Sequence, residues 1–272
     1  MRTVAHISDL HFGRTDWAVL HSLAARLKDL KADLLVVSGD LTQRARPGEF
    51  RYAREFLDGI PSPRLIVPGN HDLAPWFKPI RRWRAPLANF CEAFGADLEP
   101  VYKDDEIVVI GVNTARRNTV EAGRLNKRQV ERTCNLLRAV PADRIRFVVS
   151  HHPFDLPAHY RGHNVVGRAE MAMSRFAKSS ADAFLSGHLH VSHIGETTLR
   201  YRIEGYSALV IQAGTAASTR VRGELNSWNL IRVARPRLAV EKYLWDSQRG
   251  EYAVAGRDEF HLTPEGWHRR AA

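Results

Sequence analysis

Cysteine is nearly absent from this 272-residue chain: Cys91 and Cys134 stand far apart, in no CxxC pattern. That excludes a disulfide framework and a thiolate metal site, and it fits a reducing compartment. No run approaches the ~20 apolar residues of a membrane-spanning helix. The N-terminal MRTVAHISDLHFG enters polar residues where a secretory leader would carry its apolar segment. The cytoplasm is therefore the expected location. Internal repeats and low-complexity blocks are also missing, which removes solenoids and repeat arrays. Acid is scarcer than base, 30 Asp and Glu against 40 Lys and Arg, giving a formal net charge of +10. Basic residues cluster at Arg81–Arg84 (RRWR), Arg116–Arg117, Arg220 and Arg222, and the HRR near the end. Such a surplus favours phosphates, nucleic acid or acidic membrane surfaces as partners, although each cluster alone also reads as solvated surface.

A hydrophobic share of 44% is ordinary for a globular core, and no linker divides residues 1–272, so a single large domain is expected. Short β-branched and aliphatic runs (TVAHIS, DLLVVS, RLIVP, EIVVIGV, RIRFVVS, DAFLS) read as buried strands. Between them WAVLHSLAARLKDL, RPGEFRYAREFLDGI and NKRQVERTCNLLRAV carry helical spacing, so the alternation predicts an α/β fold with a largely parallel sheet. Beyond His190 the pattern turns to alternating strands, some expected to build a second sheet packed on the first. Residues 74–95, with three prolines and several aromatics, read as a broken helical excursion over the strand ends. The tail from Arg257 is expected to be peripheral.

Polar clusters terminate the strands: SDLH with Asp9 and His11, SGD with Asp40, GNHD at Gly69–Asp72, HHP with His151 and His152, and GHLH with His188 and His190. In an open parallel sheet the carboxyl ends of the strands form the ligand crevice. Singly each cluster has a plain explanation: Asp9 capping a turn, Asn70 in a turn beside Gly69, any one histidine at the surface. Gathered at one edge, however, carboxylates and imidazoles would repel and resist desolvation unless divalent cations lay among them. Asp9, His11, Asp40 and His190 make one oxygen and nitrogen donor set. Asp40, Asn70, His151 and His188 make a second, and the shared carboxylate is what holds two metals ~3.5–4 Å apart. Absent cysteine and abundant histidine disfavour thiolate sites, calcium and hydrated magnesium, leaving manganese, iron or zinc.

The ordered series DxH, GD, GNHD, H and GHxH resembles the calcineurin-like metallophosphoesterase superfamily, and HISDLHFG with GHLH is most similar to its bacterial class III cyclic-nucleotide phosphodiesterases. The resemblance implies a four-layer αββα sandwich of two mixed β-sheets flanked by helices, and the donor sets above match its pattern position by position. It implies hydrolysis of a phosphodiester, first of all a 3',5'-cyclic nucleotide, by water activated between the metals. Alternatives are a phospholipid, glycerophosphodiester or nucleotide-sugar lipid pyrophosphate, with residues 74–95 against an acidic bilayer, and a nuclease, for which no additional DNA-binding segment is evident. A non-catalytic scaffold is disfavoured by the complete donor set, and a homo-oligomer is left open. Asn70 would give the second metal a neutral oxygen, Gly69 would permit the tight turn that aims it, and His71 would face the phosphate and protonate the leaving oxygen. Asp72, His152 and His6 are expected to support the site, and His159, His163 and His193 to lie on surface loops. Asn113 and His163 are secondary candidates for substrate contact.

Overall fold

Strands apolar at every position must bury both faces, and the two-sheet arrangement of the chain does this. The computed structural model describes residues 1–119, 121–157, 165–221 and 223–270. Parallel strands β1 (Arg2–Ile7), β2 (Leu34–Val37) and β3 (Arg64–Ile66) form one half of a seven-stranded sheet. Parallel strands β5 (Ile107–Gly111), β6 (Ile145–Val149) and β7 (Ala183–Ser186) belong to a different, six-stranded sheet, with β4 (Val101–Lys103) antiparallel at its border. There β9 (Leu209–Gln212) continues the parallel run beside β7, and β8 (His193–Glu196) closes the other border antiparallel to β9. Strands β10 (Ser227–Ala234), β11 (Arg237–Asp246), β12 (Glu251–Thr263) and β13 (Gly266–Arg269) form a meander that joins the first sheet through β1, with Arg2 opposite Val233.

Period-two alternation decides the layers. Val4, Leu34 and Val36 point inward against Val109, Phe147 and Leu185 of the second sheet. Leu35 and Val37 point outward to α1 (Trp17–Leu30), α2 (Pro47–Asp58) and Phe90 of α4 (Ala88–Phe94). On the opposite outer face Val108, Val148 and Phe184 pack on α5 (Lys127–Arg138) and α6 (Ala169–Ala177). The fold is thus an α/β sandwich of two mixed sheets between helices. Local chemistry sets the helix starts: the Asp16 carboxylate accepts from the amides of Ala18 and Val19, and Asn126 and Gln129 form a reciprocal capping box.

Three expectations are corrected. The parallel strands divide between two sheets, because strands buried on both faces carry no sequence mark of sheet membership. Of the strands beyond His190, β8 and β9 do build the second sheet, β9 in parallel with β7, whereas β10 to β13 extend the first. The segment from Arg257 is integral: Phe260 and Trp267 are buried between the sheets, and the Trp267 indole donates to Asp182 Oδ1 at 2.9 Å. The sequence reading also missed α6, although Ala169, Ala172, Met173 and Phe176 bury one helical face. Residues 74–95 contain two short helices, α3 (Pro79–Arg84) and α4. Among the described residues no helix is long and apolar enough to cross a membrane.

Candidate metal centre

The carboxyl ends of β1, β2 and β3 in one sheet and of β6 and β7 in the other meet at one edge of the sandwich, so loops from both sheets aim their side chains at the same place. The backbone there is unusual. Asp9, His11, Asp40, His188 and His190 all have left-handed φ, at 55°, 46°, 50°, 78° and 62°. Non-glycine residues rarely adopt this region, and such strain gathers at functional sites. Gly69 does not have positive φ, so the expected role in a tight turn is corrected: a β-carbon there would run into the Asp40 carboxylate and backbone amide. Gly187 is pressed in the same way against Ser8 and Asp9 Oδ2.

In the first cluster His11 Nε2 and His190 Nε2 are 3.0 Å apart, and they lie 3.6 Å and 3.3 Å from Asp9 Oδ1. Asp9 Oδ1 is buried without a hydrogen-bond donor, while Oδ2 accepts from the His188 amide at 2.9 Å. In the second cluster His151 Nε2 lies 3.1 Å from Asn70 Oδ1, 3.3 Å from Asp40 Oδ2 and 3.3 Å from His188 Nδ1. The same Asp40 Oδ2 is 3.8 Å from His11 Nε2 of the first cluster. Its partner Oδ1 accepts from the His71 amide at 2.8 Å, which turns Oδ2 toward both groups. An ion with donors at ~2.1 Å fixes donor–donor edges of ~3.0 Å at right angles and ~3.4 Å in a tetrahedron. Both clusters have these edges, so the residues present fit cations.

Second contacts fix the rings. His190 Nδ1 donates to the Arg220 carbonyl at 2.6 Å and His151 Nδ1 to the Ser38 carbonyl at 2.8 Å, turning each Nε2 inward. Burial opposes charge throughout, yet His11 and His190 hold the Asp9 carboxyl below the usual carboxylate range, and His151 and His71 do so for Asp40. Burial works against a charged His151, but Asp40 outweighs it and lifts the imidazole up to about 9. Burial pushes His11 down to about 4 and His188 down to about 3.

His71 stands at the mouth, edge-on to His11 at 4.9 Å. Its Nδ1 donates to the Gln43 carbonyl at 2.9 Å, and its Nε2 accepts from Arg220 Nη1 at 2.9 Å. Arg220 escaped the sequence reading because it follows a small-residue loop, AGTAAST, without a recognisable motif; its place in a basic cluster was the sole signal. Asp72 is buried and accepts from the amides of Gly69, Leu41 and Thr42 and from the Thr42 hydroxyl, stapling two site loops together. Burial and the nearby Asp40 push its carboxyl up to about 7, against four donors that favour charge. Both ring nitrogens of His152 are engaged, with Thr114 Oγ1 and the Glu121 carbonyl, each at 2.8 Å. His6 is buried in β1 against Ser38 Oγ at 2.9 Å. The Asn113 side chain accepts from the Ala115 amide at 2.9 Å, closing a local turn after β5. His193 begins β8 rather than lying in a loop, and His159, His163 and Arg222 lie outside the described residues.

GpdQ, a glycerophosphodiester phosphodiesterase of Enterobacter lignolyticus, is 35% identical over 80 residues, 25% of this chain and 29% of its own length. A probable cyclic nucleotide phosphodiesterase of Synechococcus is 26% identical over 138 residues, 47% of this chain and 50% of its own. The chain therefore spans half or less of the length of these curated relatives. Purple acid phosphatase PPD1 of yellow lupin superposes with a TM-score of 0.68 over 95% of this chain and 53% of its own, at 11% identity, a likeness that shows the fold. The family profile described as calcineurin-like phosphoesterase matches residues 2–192, most of the chain, and the chain belongs to that family.

Proposed function

We propose that this member of the calcineurin-like phosphoesterase family hydrolyses a phosphodiester with two transition-metal ions of the manganese, iron or zinc class, and that its substrate is a 3',5'-cyclic nucleotide. The observation that carries the reading is Asp40 Oδ2, which faces His151 at 3.3 Å and His11 at 3.8 Å and so lies between the two clusters of candidate donors. Asp9, His11, His190 and Asp40 hold one ion; Asp40, Asn70, His151 and His188 hold the other. Bound there, such a pair activates water and stabilises the charge that develops on the phosphoryl group.

The remaining work falls to side chains at the mouth. With its proton on Nδ1, held by Gln43, His71 presents a lone pair to Arg220 and has no proton on its outward nitrogen. Arg220 is then the cationic donor group at the mouth that would meet a phosphoryl oxygen, and His71 positions it. His71 protonates a leaving oxygen only after taking a proton at Nε2, which requires Arg220 to swing aside. Replacing either residue by alanine should lower kcat by ~10²–10³, the usual loss for one transition-state donor, with metal content unchanged. Cys91 and Cys134 are both free thiols, in keeping with a reducing, cytoplasmic setting.

The names of the two curated relatives favour a diester over a monoester. A second reading, a diester in a lipid headgroup, is favoured by the exposed side chains of Trp76, Phe77, Ile80 and Trp83 near the site. The test is a substrate panel of cyclic nucleotides, glycerophosphodiesters, aryl diesters and monoesters assayed with each metal. Cyclic nucleotides should give the highest kcat/KM. Turnover of monoesters alone, or of nothing, would overturn the reading.

A further inference from the structure

Residues 73–91 contain no acid and carry Lys78, Arg81, Arg82 and Arg84. Ten large hydrophobic side chains are exposed among the described residues, and four of them lie within 76–83: Trp76 at 50%, Phe77 at 70%, Ile80 at 71% and Trp83 at 60%. Large apolar side chains left exposed so close together along the chain point to an interaction surface.

The segment that displays them is tied down. The buried Arg82 donates to the carbonyls of Ala74, Arg117 and Thr119 at 2.6, 2.8 and 2.7 Å, and its guanidinium lies 4.1 Å from the Trp76 ring centre. Arg117 donates to the Trp83 carbonyl at 2.7 Å and lies 3.9 Å from the centre of that ring. The aromatics are therefore held outward by fixed hydrogen bonds and cation–π contacts. Under the segment lies a cavity of about 180 Å³ lined by Arg44, Arg46, Phe77, Lys78 and Arg81, with Asp72 among its walls. The Asp72 carboxylate is already engaged by Gly69, Leu41 and Thr42, and none of these four basic side chains has a carboxylate partner among the described residues. A pocket with unneutralised cations beside a preformed apolar rim matches an amphiphile with an anionic head.

We propose that residues 75–84 are a docking platform for an anionic phospholipid bilayer, with Phe77, Ile80 and the two tryptophans entering the interface and a lipid phosphate seated among Arg44, Arg46, Lys78 and Arg81. Charge selects the occupant. A neutral protein surface or a second copy of this basic chain would leave the cations facing like charge or none, whereas an anionic leaflet attracts each basic residue near it. The platform stands on surface composition and geometry and does not rest on the proposed activity.

Flotation of the metal-loaded full chain with phosphatidylcholine vesicles, with and without phosphatidylglycerol, tests it. The wild type should float with the anionic vesicles only, and less at high salt. Phe77→Ser with Ile80→Ser, two highly exposed positions, should weaken vesicle binding at least about tenfold through lost apolar burial. Arg46→Gln with Lys78→Gln should weaken it by more than about tenfold, as each charge adds roughly fivefold. Hydrolysis of a soluble aryl diester and metal content should be unchanged in the Phe77 and Ile80 variant, which shows that it is folded. Undiminished flotation of either double variant would overturn the proposal, as would equal binding to neutral vesicles. So would inorganic phosphate binding as tightly as vesicles do, or a dimer that the serine variant dissolves. If the wild type cleaves no diester, the proposed activity fails while flotation still decides the platform.

Discussion

Replacing Asp40 by asparagine changes one oxygen into an amide nitrogen and removes one charge from a position that faces both donor clusters. Asp40 Oδ1 accepts from the His71 amide at 2.8 Å, and an asparagine oxygen can keep that bond. The amide nitrogen then falls where Oδ2 stood, 3.3 Å from His151 Nε2 and 3.8 Å from His11 Nε2, where it cannot ligate a cation. Disturbing a residue that merely orients a ligand costs ~10–100-fold in metal affinity, so loss of a direct, shared donor should cost each ion at least that much. Turnover should fall by ~10³–10⁴ or more, corresponding to a barrier higher by ~4–5.5 kcal/mol. Metal content per chain after desalting, measured beside initial rates on an aryl diester, reads both effects. A variant that keeps two ions and wild-type turnover would refute the shared position of Asp40.

Gly69→Ala should destabilise by ~1–3 kcal/mol in urea unfolding and reduce metal content, since the new methyl collides with Asp40, whereas Gly48→Ala, with nothing near its added carbon, should be neutral or stabilising. Stripping metal with a chelator should lower Tm by about 10 °C or more, because an ion held at a thousandfold above its Kd adds ~4 kcal/mol and a chain of this size shifts by ~2–4 °C per kcal/mol; an unchanged Tm would count against bound cations. Burial depresses His6 to about 3 from 6.5, so it is neutral when folded. Its stabilising contribution is present above pH 6.5 and is lost as pH falls toward 3, on the order of 5 kcal/mol across the window. His6→Gln should flatten the acid limb of the stability curve, and an identical limb in both proteins would show that His6 does not set it.

The proposed donors were legible because each follows directly on a buried strand, and a chain has no packing reason to end so many strands in carboxylates and imidazoles. The layer order was partly legible: α1, α2 and α5 announce themselves through spacing and caps, but which sheet a strand joins depends on the crossover taken by helices on either face. Strands β10 to β13 alternate as antiparallel strands should, yet only the pairing of β10 with β1 shows that they lengthen the first sheet. Phe260 and Trp267 sit in a polar-looking tail, and their burial comes from contact with the second sheet. Arg220 was illegible as a site residue because its position depends on a loop folding back over the strand ends to reach His71. Gly69 illustrates the reverse case, a visible glycine whose reason is close approach to Asp40 rather than turn geometry.

The central claim is that Asp40 joins two cation sites. Anomalous diffraction from crystals grown with manganese tests it most directly. Two peaks ~3.5–4 Å apart on either side of the Asp40 carboxylate are expected, one bordered by Asp9, His11 and His190 and the other by Asn70, His151 and His188. A single peak, none, or peaks away from Asp40 would contradict it.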